Sequence, residues 1–346
     1  MANIHTERLR QFQQLLAANR IDGYLVTRRE DQCFLTGYFM DGYHLLIGRK
    51  KAWALVPKML HEQFQQVAPF YNAVATDTPL AAAHAIISAE GLRRLAFDPE
   101  AETYASGCAL CRKGFAEKGG LAASLRETKM GAEIADIAKA CKIAVKAFAK
   151  LKPEIKPGMT ENQVRARLQY LMDCMGAQGP SFALIIGSGP NSALPHHSTS
   201  ERKIRDNEAL LLDFGCKYNN YCSDYTRTFF IGKPTDEFKK VHGIVQRSHD
   251  AGIKAVRAGA KCIAVDKVCR DLIVAEGYGD KFIHGTGHGL GLEIHEFPRL
   301  NQKCDATLKE GMAVTVEPGI YLHGKFGVRI EDTVLVTKTG CKILTK

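Results

Sequence analysis

Two acids eleven residues apart, Asp213 and Asp224, flank the stretch Phe-Gly-Cys-Lys-Tyr-Asn-Asn-Tyr-Cys-Ser. An apolar run, Ala209 to Leu212, enters the first acid, and a β-prone run, Tyr225 to Ile231, leaves the second. Asn219-Asn220 between them suits a hairpin tip, because Asn tolerates the positive φ of tight turns. A loop centred on Tyr218-Asn219 sets the two carboxylates opposite each other. A loop centred on Asn219-Asn220 makes them diagonal neighbours on one face. In either register two like charges meet on an apolar ribbon, where repulsion and desolvation both cost free energy. A bound cation removes both costs; the competing reading is a solvated face that merely carries two acids.

Three further stretches carry side chains of the same kind. His284-Gly-Thr-Gly-His288-Gly-Leu-Gly-Leu-Glu-Ile-His295 sets three His among alternating Gly, and Gly lets backbone approach a site closely. Val314-Thr-Val-Glu317-Pro-Gly ends an apolar run on an acid, with Thr315 and Glu317 on one face. In Val328-Arg-Ile-Glu331-Asp-Thr-Val-Leu-Val336, Val328, Ile330, Val334 and Val336 alternate with Arg329, Glu331 and Thr333. Asp332 interrupts that alternation, which places it at an edge or in a local bond. Alone, Glu331 beside Arg329 reads equally well as an ion pair on a wet face. Together, Asp213, Asp224, His288, Glu317 and Glu331 form an oxygen-rich set suited to Mn²⁺ or similar ions. Five ligands exceed one tetrahedral zinc. With bridging carboxylates they fit two ions about 3.5–4 Å apart, the arrangement of two-metal hydrolases.

The elements that must position these groups follow from periodicity. Residues 4–19, 60–67, 80–89 and 104–118 are expected as helices. Strands are expected at 21–27, 34–38, 44–48, 52–57 and 95–98. Alternating strands and helices indicate an α/β unit of about 120 residues. It has no phosphate-cradling Gly loop. Ser124 to Gly131 is a boundary candidate, dividing the chain into domains 1–123 and 124–346. The second domain opens with a helix over 132–150. Another follows from a capping box at Thr160-Glu-Asn-Gln163 to about Met175. A buried strand at 181–187, a polar loop and His196-His197 then lead into the hairpin. Helices over 236–256 and 264–276 follow, with strand-like segments at 282–284, 312–317 and 328–336. Two helices and then strands, twice, suggest two similar halves facing each other.

Composition narrows the classes. At 346 residues, with 45% hydrophobic and 24% charged residues, the chain is an ordinary globular protein of one large or two medium domains. Net charge is +10, from 47 basic and 37 acidic residues. The basic residues are spread along the chain without aromatic interleaving, so solvated faces explain them better than nucleic-acid binding does. No apolar run is long enough to cross a membrane, and no signal peptide is recognisable. Eleven Cys without framework spacing read as reduced, cytoplasmic thiols. Cys108-Ala-Leu-Cys111 lacks a partner pair and reads as one helix face.

The four motifs, taken together and in this order, resemble the metal-binding motifs of the pita-bread metallopeptidases, over about residues 124–346. The preceding 120 residues or so resemble the creatinase-type N-terminal domain. That combination points to the proline-specific branch, Xaa-Pro aminopeptidase and Xaa-Pro dipeptidase (prolidase). The resemblance implies an α+β fold: a pita-bread catalytic domain with pseudo-twofold halves behind a smaller α/β domain. It implies two divalent metal ions, most readily Mn²⁺, with Co²⁺ or Zn²⁺ as alternatives. Asp224 and Glu331 would bridge both ions, and Asp213, His288 and Glu317 would bind one each. By the same resemblance His196 is the catalytic His near the scissile carbonyl, and His295 lines the proline pocket. His284 is a further substrate-side candidate. A homodimer acting on proline-containing peptides is expected, with no nucleic-acid or membrane partner.

The implied reaction is attack of metal-activated water on the Xaa-Pro bond, with Glu317 carrying the proton and His196 stabilising the oxyanion. The leading expectation is the aminopeptidase, with the dipeptidase as its alternative. A dipeptidase must hold the free carboxylate of proline, and Arg299 and Arg329 are the candidates. A non-catalytic binding protein of this fold, or a metal-free amidinohydrolase such as creatinase, would be expected to lose the metal ligands, and here all five stand.

Overall fold

The computed structural model describes residues 4–346. Contacts divide the chain into two compact units that separate between Arg126 and Glu127.

The first unit is built from α1 (Ile4–Ala18), β1 (Gly23–Val26), α2 (Arg29–Thr36), β2 (His44–Gly48), β3 (Ala52–Val56), α3 (His61–Val67), β4 (Asn72–Ala75), α4 (Pro79–Glu90), β5 (Leu95–Phe97), α5 (Tyr104–Arg112), β6 (Phe115–Glu117) and α6 (Leu121–Arg126). Its strands form one mixed sheet in the order β4-β3-β2-β1-β5-β6. Three local expectations are corrected. Phe34 to Thr36 is the end of a helix, not a strand. Glu30 and Asp31 in the first turn favour a helix N-terminus, and Gly37 closes it with φ 79°. The helix expected over 104–118 stops at Arg112, and Phe115–Glu117 joins β5 in parallel. The sheet's edge strand β4 (Asn72–Ala75) has no counterpart among the expected strands.

The second unit carries two helix pairs, two larger antiparallel sheets and two antiparallel two-stranded ribbons. α7 (Gly131–Leu151) and α8 (Glu161–Cys174) precede β7 (Ile185–Ser188), β8 (Glu208–Phe214), the short β9 (Lys217–Tyr218) and β10 (Tyr221–Cys222), and β11 (Tyr225–Ile231). α9 (Asp236–Ala255) and α10 (Cys262–Ala275) precede β12 (Gly287–Gly289), β13 (Glu296–Leu300), β14 (Ala313–Val316), β15 (Gly319–Leu322), β16 (Phe326–Arg329), β17 (Asp332–Val336) and β18 (Cys341–Ile343). The sheets run β11-β8-β7 and β13-β12-β14-β17-β18. Each half has its own core. In one, α7 and α8 pack through Ala144, Phe148, Val164 and Leu168 onto Leu210, Leu212 and Phe214. In the other, Val241, Val245, Val265 and Cys269 pack onto Val314, Val316, Val328 and Val334. The capping box opens α8 as expected, with Gln163 N–H donating to Thr160 Oγ1 at 3.1 Å.

The segment 328–336 is two strands rather than one. At its break the Glu331 N–H leaves the local hairpin and donates to Thr226 O of β11 at 3.1 Å, which links the two halves. Phe282 to His284 is irregular rather than strand. Among the described residues no helix is long and apolar enough to cross a membrane, and all eleven cysteines are free.

Candidate metal centre

The hairpin register is settled by its tip. Tyr218 pairs with Tyr221, and Asn219 and Asn220 adopt φ 47° and 69°, the both-positive pattern of a type I′ turn. Asp213 then pairs with Thr226. Asp224 is therefore the diagonal neighbour of Asp213 on the same face, the second of the two registers open from sequence. Gly215 permits the close approach: a Cβ there would lie 1.8 Å from Ser223 O. Gly287 does the same for the next candidate ligand. A Cβ on it would meet Thr315 O at 2.0 Å, so only Gly lets β12 press against β14 and set His288 beside Glu317.

Asp213, Asp224, His288, Glu317 and Glu331 line one cleft of about 860 Å³ together with His196, His284, His295, Arg299 and Arg329. Potential ligand atoms of Asp224, His288 and Glu331 all lie within 4.8 Å of one another. His288 Nε2 is 3.5 Å from Asp224 Oδ2 and 3.3 Å from Glu317 Oε1. Its other nitrogen, Nδ1, is 3.0 Å from Gly289 O. A carbonyl only accepts, so Nδ1 carries a proton and Nε2 is the ring atom turned to the carboxylates. Asp213 Oδ1, Asp224 Oδ1 and Glu331 Oε1 are buried without a hydrogen-bond partner among the described residues. Buried oxygens of this kind carry a large desolvation cost unless something positive meets them. Burial raises the Asp224 carboxyl well above its ordinary range, and the Asp213 and Glu317 charges add to it. Glu331 is raised well above its own, by burial and then by the charges of Asp224 and Glu317. Glu317 is raised by burial against the opposing pull of His288 and Arg329. Orphaned oxygens, an oriented imidazole and mutually repelling acids together fit a pair of divalent cations.

The oxygens not aimed into the cleft are held. Arg329 Nη2 donates to Asp213 Oδ2 at 2.6 Å, and Thr226 Oγ1 donates to Glu331 Oε2 at 2.6 Å. Thr315 Oγ1 accepts from the His288 N–H at 3.0 Å and donates to Glu317 Oε1 at 3.1 Å. Asp332, which broke the alternation, is buried. It accepts from Arg227 at 2.8 Å and Thr345 at 2.7 Å, with His249 Nε2 3.1 Å away. Arg227 also donates to the Glu331 carbonyl, so the peptide that carries Glu331 is gripped from behind.

Two substrate-side candidates prove to be engaged within the protein. Arg329 is 3% exposed and donates to Tyr321 Oη at 2.6 Å and to Pro195 O at 3.4 Å as well as to Asp213. His284 Nδ1 is 2.7 Å from Gly285 O, and its Nε2 is 2.8 Å from Tyr321 Oη. Burial pushes the Tyr321 phenol up to about 12, so it keeps a proton to donate. Burial, with Arg329 nearby, brings His284 down to about 4, so it stays neutral and accepts. Arg329, Tyr321 and His284 thus form one directed chain of donors. Arg299 differs: it stands opposite His288 in the β12–β13 ladder, exposed to the cleft and without a side-chain partner among the described residues. His295 stacks edge-on against His288 with ring centroids 4.5 Å apart. Its neighbour Glu296 is fixed by Lys129 Nζ at 2.8 Å. His197 turns away from the reacting centre to Glu161, whereas the His196 ring is exposed in the cleft. Tyr321 follows the Glu317-Pro-Gly stretch by two residues, but nothing in the sequence aims its hydroxyl at Arg329.

Comparison with known families decides the assignment. Residues 135–338 match the model of metallopeptidase family M24, and residues 8–127 match the creatinase/prolidase N-terminal domain. The chain belongs to metallopeptidase family M24. Members of this family depend on two metal ions, in keeping with the cleft just described. An Xaa-Pro dipeptidase of Pyrococcus horikoshii is 33% identical over 99% of this chain and 98% of its own length. The structure of an Xaa-Pro dipeptidase from Bacillus anthracis superposes with a TM-score of 0.96 at 36% identity, covering 99% of this chain and 98% of that one. An X-Pro aminopeptidase from Thermotoga maritima gives a TM-score of 0.90 at 32% identity, covering 96% of each. The M24 pita-bread domain and the creatinase-type N-terminal domain are thus both present.

Proposed function

We propose that this M24 chain hydrolyses the Xaa-Pro bond of dipeptides, as a dinuclear Xaa-Pro dipeptidase. The full-length relatives named Xaa-Pro dipeptidase favour this over the aminopeptidase that the motifs alone put first. The observation that carries it is local: Arg299 lies exposed in the cleft beside His288 with no acid paired to it among the described residues. A free proline carboxylate is the ligand such a fork fits, in two parallel charge-assisted bonds.

Asp213, Asp224, His288, Glu317 and Glu331 would hold the metal ions, and manganese suits this oxygen-rich set. Ions bound there would supply Lewis-acid activation of water and of the scissile carbonyl. Glu317, oriented by Thr315, accepts the proton of the attacking water and passes it to the leaving nitrogen. That nitrogen is tertiary in an Xaa-Pro bond and has no proton of its own. The His196 ring, which makes no hydrogen bond or ion pair among the described residues, donates to the oxyanion. Arg299 anchors the carboxylate, and His295 lines the proline side.

The test is hydrolysis of an Xaa-Pro dipeptide against an Xaa-Pro-Yaa tripeptide by the Mn²⁺-loaded protein. The dipeptide is the better substrate on this account. Preference for the tripeptide restores the aminopeptidase reading, and cleavage of neither refutes both.

A further inference from the structure

The loop that presents His196 has little regular structure of its own, yet a group outside the metal centre fixes it. Glu161, the first residue of α8, is 0% exposed. Its Oε1 accepts from Ser188 N at 2.8 Å, Ser188 Oγ at 2.7 Å and Asn191 Nδ2 at 3.0 Å. Its Oε2 accepts from His197 Nε2 at 2.8 Å, Ser200 N at 3.1 Å and Ser200 Oγ at 2.6 Å. One carboxylate therefore takes six donors, at the two ends of residues 188–200. His196 lies inside that span. Burial alone would raise the Glu161 carboxyl, but the donors from Ser200, His197 and Ser188 bring it below its ordinary range. A neutral polar residue would close the loop more cheaply than a buried charge, whose full set of donors must be built around it. Such an arrangement confers rigidity: with all acceptor sites filled, neither Ser188 nor Ser200 can move without stranding a charge.

The geometry points to Glu161 as the positioning residue for His196: its carboxylate clamps both ends of the 188–200 loop, with His197 as the strut next to the working ring. This rests on the reading of His196 as an oxyanion donor. Adjacent histidines then have divided labour. His197 is spent on Glu161, with its side chain 9% exposed, so that His196 is left free at a fixed place. Arg329, through Pro195 O, holds the same loop from the metal side.

The experiment uses Glu161→Gln, which turns an amide N–H₂ towards three donors, and Glu161→Asp, which keeps the charge but withdraws it by one methylene. Both are made in the full chain, with and without His196→Ala. Each is expected to lower kcat on the order of 10²-fold, the effect of a misplaced catalytic group, with bound Mn²⁺ unchanged. In the His196→Ala background the same substitutions are expected to cost less than about twofold, because groups that act as a unit are not additive. An equal loss in both backgrounds makes Glu161 purely structural and overturns the proposal. Carbethoxylation by diethyl pyrocarbonate, read residue by residue by mass spectrometry, tests the clamp without any activity. His197 should react slowly in the wild type and several-fold faster in either variant. Unchanged protection of His197 overturns the clamp. A wild type that cleaves no Xaa-Pro peptide overturns the dipeptidase reading alone.

Discussion

Replacing Thr226 by Val separates holding a ligand from holding the fold. Thr226 Oγ1 donates to Glu331 Oε2 at 2.6 Å in a buried setting, and Val keeps the volume while deleting the hydroxyl. A hydrogen bond to a charged group contributes about 1.5–3 kcal/mol. Partners behind metal ligands change metal affinity by about 10–100-fold when removed, which is about 1.4–2.7 kcal/mol. The two estimates agree, so Thr226→Val should weaken metal binding by about 10–100-fold. The comparison variant is Thr228→Val, two residues along the same strand. Thr228 Oγ1 donates to the Arg329 carbonyl at 3.0 Å and accepts its N–H at 3.1 Å. It holds backbone rather than a ligand, so its loss should cost about 1–3 kcal/mol of stability and leave metal affinity within about twofold. The assay is a chelator-competition titration of Mn²⁺ on both variants, alongside urea unfolding of the chelated proteins. An unchanged affinity for Thr226→Val, or equal weakening in both variants, refutes the reasoning.

Arg299→Met should raise KM for an Xaa-Pro dipeptide by about 10–100-fold, the loss of a charge-assisted pair, and change a tripeptide far less; steady-state kinetics on both decide it. Chelation should make stability depend on pH in a defined sense. Asp224, Glu331 and Glu317 have folded-state pKa values raised above their unfolded ones, so the chelated fold holds more protons than the unfolded chain. Its stability is complete below the ordinary carboxylate range and falls as pH rises through the raised values. Bound metal removes that loss and adds about 2.7 kcal/mol at a hundredfold excess over Kd. Urea midpoints with and without chelator should therefore diverge as pH rises, and convergence contradicts the assignment. Asn220→Val should destabilise the hairpin, because a β-branched residue resists the 69° φ at that position, whereas Asn220→Gly should be neutral or better; thermal melts of the two report it.

The candidate ligand set was legible because Asp213 and Glu317 end apolar runs, Asp224 precedes a β-prone one, Glu331 sits on the polar side of an alternating stretch, and His288 lies among alternating Gly. The alternation over 328–336 was read with the correct faces, since Val328, Ile330, Val334 and Val336 all enter the core. Its break at Glu331 was not legible, because the hydrogen bond that causes it goes to Thr226, 105 residues away. The partners of the ligands stayed hidden for the same reason. Thr226 shares a strand face with Asp224, yet in the fold its hydroxyl donates to Glu331. Arg329 looked like a substrate anchor from its charge alone, and only burial against Asp213 and Tyr321 shows where that charge goes. Short apolar runs such as Phe34 to Thr36 fit helix and strand alike, and there the cap at Gly37 decides. Glu161 was visible only as a helix-start residue inside a capping box, because its six donors come from segments distant in sequence.

The central claim is that five side chains on two facing halves hold a pair of ions that the peptidase reaction requires. Titrating the chelated protein with Mn²⁺, while following bound metal and Xaa-Pro dipeptide hydrolysis together, tests it most directly. The account predicts negligible hydrolysis without metal and a maximum at two ions per chain. Full activity at one ion, or hydrolysis that persists in chelator, would contradict it.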